Sequence, residues 1–493
     1  MSDAFRANYS TMVFSSIVFL CYFLPLLLVA YRLTPNRFKN GLLLAASIFF
    51  YAWGAPRFVF VILGTTIVDF FLVMRMDAIT DSVRRKLLLT LSVLLNVGLL
   101  VYFKYMNFFI ENVNAVLHFA GFDSAIPWAK LALPIGISFY TFETLTYVVD
   151  VYRRIHKPLR NFWDYQLYII LFPKLIAGPI IRYHELADQI HGRFQTEKSE
   201  DRLLGLYRFC LGLAKKVLIA NTLGEYADSV YGDAFDGSGA LDASTLAATT
   251  AWLAALTYTF QIYFDFSGYS DMAIGLGRMF GFRFPENFTN PYTSGSITEF
   301  WRRWHMTLGN WMRNYLYIPL GGNQVSPSRL YFNLVVVFLL SGLWHGATWS
   351  FIFWGAYHGL FLVLERLFLL KWLGKLPKLV QVAFTFVVVL FGWVFFRVEQ
   401  LSDAFGYIGA MFKTEGYWQA PAAEVIWMTV VAAIFAGFVL FPGGKRVQDV
   451  VYGEQSLSRS THIFFLIAAF IIYFYVVGAI AASTFNPFIY FRF

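Results

Sequence analysis

The chain has 493 residues, of which 58% are hydrophobic, 20% aromatic and 14% charged. Soluble domains carry about one quarter charged residues, so this composition excludes a soluble globular protein, and no polar stretch is long enough to hold a separate soluble domain. The net charge of +9 is distributed over short loops between apolar segments and forms no single basic stripe, which argues against a nucleic-acid partner.

Residues 1–11 are polar with a single arginine, and the apolar stretch from Met12 to Leu33 is too long for the core of a cleavable signal. It is expected to remain as the first span. Further apolar segments follow near 41–54, 58–74, 87–109, 131–151 and 164–181, then near 203–221, 246–264, 298–318, 330–343, 348–370, 379–396, 425–441 and 462–484. A bilayer core of ~30 Å needs roughly 20 residues per helix. The segments 164–181 and 298–318 are too short or too polar to cross alone. About 11 true spans plus re-entrant or buried half-helices are therefore expected, in one all-α membrane domain over 1–493.

Alternate loops hold Arg32, Arg37 and Lys39; then Arg75, Arg84, Arg85 and Lys86; then Arg153, Arg154, Lys157 and Arg160. The opposite side holds only Arg6, Arg57 and Lys130. The positive-inside rule then places the basic loops in the cytoplasm and the N-terminus outside. Cys21 and Cys210 are the only cysteines and lie far apart in apolar surroundings, so neither a disulfide framework nor zinc or redox chemistry is expected. The paired broken segments of an inverted-repeat transporter are not evident.

Ionisable residues in apolar segments are costly and mark functional sites. Here they are Asp69, Lys104, Glu143, Asp150, Lys174, Asp265, Asp271, Glu299 and the histidines, and the unusual residues concentrate between 255 and 360. A first block runs from Gln261 to Gly275 and includes Tyr263, Asp265, Ser267, Tyr269 and Asp271. Its Ser267-Gly268 pair is expected to break or kink the helix, leaving either a polar cavity wall or a surface loop with capping Asp and Ser. In a second block, Trp301, Trp304, His305, Leu308, Trp311 and Met312 share a face at helical spacing. Glu299 sits four residues before Arg303 as a helix pair, and Arg302 has no obvious local partner. Alone, this pattern suits an interfacial helix with Trp toward lipid and Arg toward headgroups. The third block places His345 between Trp344 and Gly346. Residue chemistry leaves packing and catalysis equally open for His345, and favours a structural role for His358.

A neutral imidazole can remove a hydroxyl proton near pH 7 while the alcohol attacks an acyl donor. There is no G-x-S-x-G elbow, and His305 is followed five residues later by Asn310 instead of the Asp of an H-x-x-x-x-D pair. His305 and His345 are too few for a metal site.

With QIYFDFSGYSDMAIGLGRMFGFRFPENFTNPY (261–292), ITEFWRRWH (297–305) and LWHGATWSFIFWGAYHG (343–359) in this order, the chain resembles the membrane-bound O-acyltransferase family. The likeness is to its bacterial polysaccharide branch, typified by alginate O-acetylation. LPIGISFYTFETLTYVVDVYR (133–153), FPKLIAGPIIRYHEL (172–186) and MVFSSIVFL (12–20) add to it, and make residues 1–11 an N-terminal extension. The resemblance implies a ring of helices around a central tunnel in the bacterial inner membrane. It makes His345 catalytic and His305 a second tunnel residue, with Gln261, Tyr263, Asp265, Ser267, Tyr269, Asp271, Trp301, Arg302, Trp304, Asn310 and Trp344 as candidate substrate contacts. It also implies a thioester donor such as acetyl-CoA, no bound cofactor, and an extracytoplasmic esterase-like partner that places acetyl on an exported polysaccharide, alginate first. D-alanyl, peptidoglycan or cellulose acylation, and a transporter or export channel without covalent chemistry, are the alternatives.

Overall fold

The structure, a computed structural model, describes residues 12–122, 126–196, 198–232, 245–452, 457–483 and 485–489. It is helical almost throughout; one isolated bridge, between Leu246 and Tyr417, is the extended pairing among these residues. Seven helices are long and apolar enough to cross a membrane: Val59–Ala78, Ser82–Phe119, Pro327–His345, Trp349–Leu373, Lys378–Arg397, Ala423–Leu440 and Arg459–Ala482. Further helices accompany them, including Asn36–Gly54 before the first and the shorter Ile137–Tyr152 between the second and third, so the chain is an all-α multi-pass membrane protein.

The chain divides into two compact units, one comprising residues up to Gly205 with Leu276–Pro285, the other Leu206–Gly275 with Glu286–Phe493. In the first unit the buried ionisable residues are matched to local partners. Lys174 pairs with Glu143, Asp69 accepts from Asn96 at 2.7 Å and from Ser92, and Asp150 meets His184 at 2.8 Å. Buried charges persist only with such partners, and these carboxylates are accounted for as internal fastenings of the helices.

The second unit contains the three sequence blocks. The first lies on one helix, Ala248–Met279, which runs unbroken through Ser267-Gly268. The expected break is thus corrected. Gly268 serves close packing: a Cβ there would come within 2.7 Å of the Gly212 carbonyl oxygen, on helix Ser199–Ala214. The third block forms a hairpin of Pro327–His345 and Trp349–Leu364, turned at Gly346–Thr348 with the Thr348 side chain capping the second helix. Gly342 and Gly355 face the opposite backbone so closely that neither could carry a side chain. The hairpin therefore holds His345 at the C-terminal end of a rigidly seated helix.

Candidate active site

The second block is not one helix. It forms Ile297–Arg303 and Met306–Met312, parted at Trp304 and His305. His305 adopts the left-handed conformation, φ 45° and ψ 53°, which is uncommon for a residue with a Cβ and persists only where its surroundings hold it. Asn287 does so. Its backbone carbonyl accepts from Met306 N at 2.9 Å, and its side-chain oxygen meets His305 Nδ1 at 3.0 Å and the Thr307 hydroxyl at 2.9 Å. The expectation of lipid-facing tryptophans also fails: Trp304 and Trp311 are buried. Trp304 packs against Tyr292, Phe300 and Trp393 because Trp304 and His305, released from helical register, both turn inward.

Helix Ile297–Arg303 is fixed at its start by a hydroxyl and a carboxylate. Ser296 caps it, accepting from Glu299 N at 3.0 Å, and the buried Glu365 carboxylate accepts from Ile297 N at 2.5 Å and Thr298 N at 2.9 Å. Anionic side chains on the free N–H groups of a helix start are stabilising. At its other end the expected Glu299–Arg303 pair forms at 2.6 Å, with Lys378 joining at 3.3 Å. Burial works to raise the Glu299 pKa, but the Gly295 N–H, Arg303 and Lys378 outweigh it and hold the carboxyl below its ordinary value.

A cavity of about 810 Å³ opens inside this unit, and His305 and His345 both line it. Trp301, Arg302, Trp304 and Asn310 also line it. Its size is in the range of small-molecule sites. Among the described residues no carboxylate borders it, whereas Arg302, Arg313 and Arg366 do. None of these three guanidiniums has an ion pair or side-chain hydrogen bond among the described residues. Arg313 and Arg366 carry no sequence signal beyond their charge; they join Arg302 only through the packing of three separate segments.

The two histidines differ in setting. The Asn287 amide is oriented by donating to Ser270 Oγ at 3.0 Å, so its oxygen faces His305 and Nδ1 is the protonated nitrogen. Nε2 is left with a lone pair and no partner among the described residues. Burial pushes the His305 pKa down to about 3, so the ring is neutral. His345 packs among aromatic edges, with ring centroids 4.9 Å from Trp344, 5.2 Å from Trp354 and 5.1 Å from Phe396. His358 does not reach the cavity; it packs between Trp301 and Trp354 at 4.9 and 5.1 Å.

Several sequence candidates lie elsewhere. Asp271 is bound by Arg208 at 2.7 Å and Lys215 at 2.6 Å, and Arg208 also grips Glu286. Asp265 pairs with Lys216 at 3.0 Å. Tyr269 stacks on Phe488, Tyr263 packs with Phe288 and Tyr292, and Gln261 lies against Gly224. Ser267 is buried in the same helix. Trp344 lies beside both histidines, 6.1 Å from His305 by ring centroids, without lining the cavity itself. Asn287 was not singled out from the sequence, although it lies in the 261–292 stretch.

The fold and this site define a polytopic membrane protein with two buried histidines on one cationic cavity. The model of the membrane-bound O-acyltransferase family matches residues 153–398. The chain is 40% identical over 516 residues to a protein of Azotobacter vinelandii named "Probable alginate O-acetylase AlgI", covering 98% of this chain and all of that one. A protein of the same name from Pseudomonas aeruginosa is 45% identical, covering 88% of this chain and 82% of its own length. The peptidoglycan O-acetyltransferase of Helicobacter pylori is 36% identical, with 82% and 80% covered. The chain belongs to the membrane-bound O-acyltransferase family and is an O-acyltransferase.

Proposed function

We propose that this chain passes acetyl groups from a cytoplasmic thioester donor across the bacterial inner membrane for O-acetylation of an exported polysaccharide, and that the polysaccharide is alginate. The observation that carries this reading is the joining of His305 and His345 in one cavity whose charged residues are all arginines. Guanidinium groups suit phosphates through paired N–H donors. A donor bearing a diphosphate, as acetyl-CoA does, would sit with its anionic end on Arg302, Arg313 and Arg366 and its thioester toward the histidines. The relatives named for alginate acetylation, at 40% and 45% identity, favour alginate over peptidoglycan as the polymer.

His345 acts as the general base. It takes the proton of an acceptor hydroxyl as that oxygen attacks the thioester carbonyl; a C–O bond forms, the C–S bond breaks, and the proton passes to the departing thiolate. The imidazolium formed on the way stands at a helix C-terminus, where the partial negative charge of the last carbonyls favours a cation. His305, neutral with Nε2 as acceptor, orients a hydroxyl or water in the same cavity. Trp301, Trp304 and Asn310 shape the pocket.

About 11 spans in a ring around a tunnel, with the N-terminus outside, would let the acceptor arrive from the outer face. There an esterase-like partner would place the acetyl group on the glycan. Purified chain in lipid vesicles with labelled acetyl-CoA tests this proposal. Ester-bound label on an alginate or protein acceptor is expected, and its loss in His345→Ala with unchanged membrane yield. Label that crosses the vesicle without ester formation would instead establish a transporter.

A further inference from the structure

The C-terminal stretch Phe485–Ile489 is not a surface tail. Phe488 and Ile489 are buried, and the stretch is fastened along its length by three polar residues. Asp265 Oδ2 accepts from the Ile489 backbone N–H at 2.8 Å. Lys216, paired with Asp265 at 3.0 Å and with Asn221 at 2.6 Å, donates to the Pro487 carbonyl. The Asn221 amide approaches Asn486 Oδ1 at 3.2 Å. Phe488 stacks on Tyr269, centroids 4.6 Å apart.

The place it reaches is the reaction centre. Besides the arginine-lined cavity, His345 borders a second void of about 10 Å³, walled by Ile262, Phe266, Trp304, Trp393, Phe396 and Ile489. A space of that size holds at most about one water molecule. Trp304 and His345 line both spaces, so they form the partition between them. The other walls of the small void come from helix interiors or helix ends, Trp304 lying just past the short helix Ile297–Arg303; Ile489 comes from a segment attached by discrete polar bonds.

We propose that Phe485–Ile489 is a strap that seals His345 from water on the side away from the arginine-lined cavity, and that Asp265, Lys216 and Asn221 are positioning residues that hold it. The charged pair faces the strap's backbone, which explains why a carboxylate and an ammonium are buried together beside a reaction that uses neither. A sealed histidine spends the thioester on the acceptor hydroxyl. An unsealed one hands it to water, giving acetate, free thiol and no ester. The activity consequence rests on the acyl-transfer reading; the position of the strap does not.

The two are tested separately, in full-length chain with Cys21 and Cys210 replaced by alanine. In the first arm, Tyr269→Cys with Phe488→Cys is joined by a short bis-methanethiosulfonate. Efficient cross-linking is expected, with about a tenfold slower rate once Asp265→Leu and Lys216→Met are added together, a pairing that leaves no unpaired buried charge. Absence of the cross-link, or an unchanged rate in the quadruple variant, overturns the proposal. In the second arm, Ile489→Gly keeps the backbone bond to Asp265 but removes the wall. The ratio of acetate released to ester formed is expected to rise about tenfold. A ratio equal to the parent's, with both products measurable, overturns the sealing role. Neither product in the parent overturns the acyl-transfer reading and leaves the cross-linking arm to judge the strap.

Discussion

Asn287→Ala isolates the part of the site least visible in the sequence. The Asn287 side chain is fully buried, and its single oxygen serves His305 Nδ1 at 3.0 Å, the Thr307 hydroxyl at 2.9 Å and Thr307 N at 3.3 Å. Truncation strands these donors, at about 1–3 kcal/mol for each that finds no water. Because the hydroxyl can rotate and a water can enter the vacated space, a net loss of about 2–4 kcal/mol is expected. The His305 ring then lacks the acceptor that fixes its tautomer, and kcat/KM should fall by roughly 10- to 100-fold, by analogy with the loss of a bond that orients a metal-ligating histidine. Asn287→Asp discriminates orientation from stability. The carboxylate still accepts from Nδ1 but favours the imidazolium, so the His305 pKa rises from its buried value of about 3. Below the new pKa, Nε2 becomes a donor and activity is lost; above it, Nε2 is an acceptor again and activity returns. Acetyl transfer by Asn287→Asp should therefore climb with pH across a range where the parent is flat. A flat profile for Asn287→Asp, or full kcat/KM in a folded Asn287→Ala, would refute the role of this bond.

Arg302→Gln, Arg313→Gln and Arg366→Gln should each raise KM for acetyl-CoA by roughly threefold to tenfold with kcat nearly unchanged, since an exposed charge contact is worth about 1 kcal/mol. The effect should shrink in high salt, and a donor thioester without phosphates should not register it. Gly268→Val should lower the melting temperature of detergent-purified protein, because its Cβ would press the Gly212 carbonyl and overpacking costs about 1–3 kcal/mol; an unchanged melting temperature would show that the helices can part freely. Glu365→Gln keeps the size of the cap while removing the charge on the first N–H groups of Ile297–Arg303. A loss of about 1 kcal/mol is expected, with a modest rise in KM as Arg302 loosens.

What the sequence disclosed follows from what is local. Apolar runs, the Glu299–Arg303 pair four residues apart and the order of the three blocks are short-range patterns, and the long helices, the pair and the family follow from them. Both failures of local reading came from tertiary partners. Helical spacing put Trp304 and His305 on a continuing face, but Asn287, eighteen residues away in sequence, draws His305 into the left-handed region and ends the helix there. Ser267-Gly268 looked like a breaker because serine and glycine disfavour helix interiors in water. Inside this unit the missing side chain is what allows Gly212 to approach, and packing gained there outweighs propensity. The same logic re-sorts the acidic residues of the first block. A carboxylate in an apolar helix is costly enough to demand a partner, but the sequence cannot say whether that partner is a substrate or the chain itself. For Asp271 it is Arg208 and Lys215, and for Asp265 it is Lys216 and the backbone of Ile489. The arginines near His305 and His345 invert the case: three guanidiniums have no ion pair among the described residues, so solvent or an anion entering the cavity is left to balance them. Charge satisfaction, more than burial, therefore separates the residues that hold this protein together from those proposed to meet its donor.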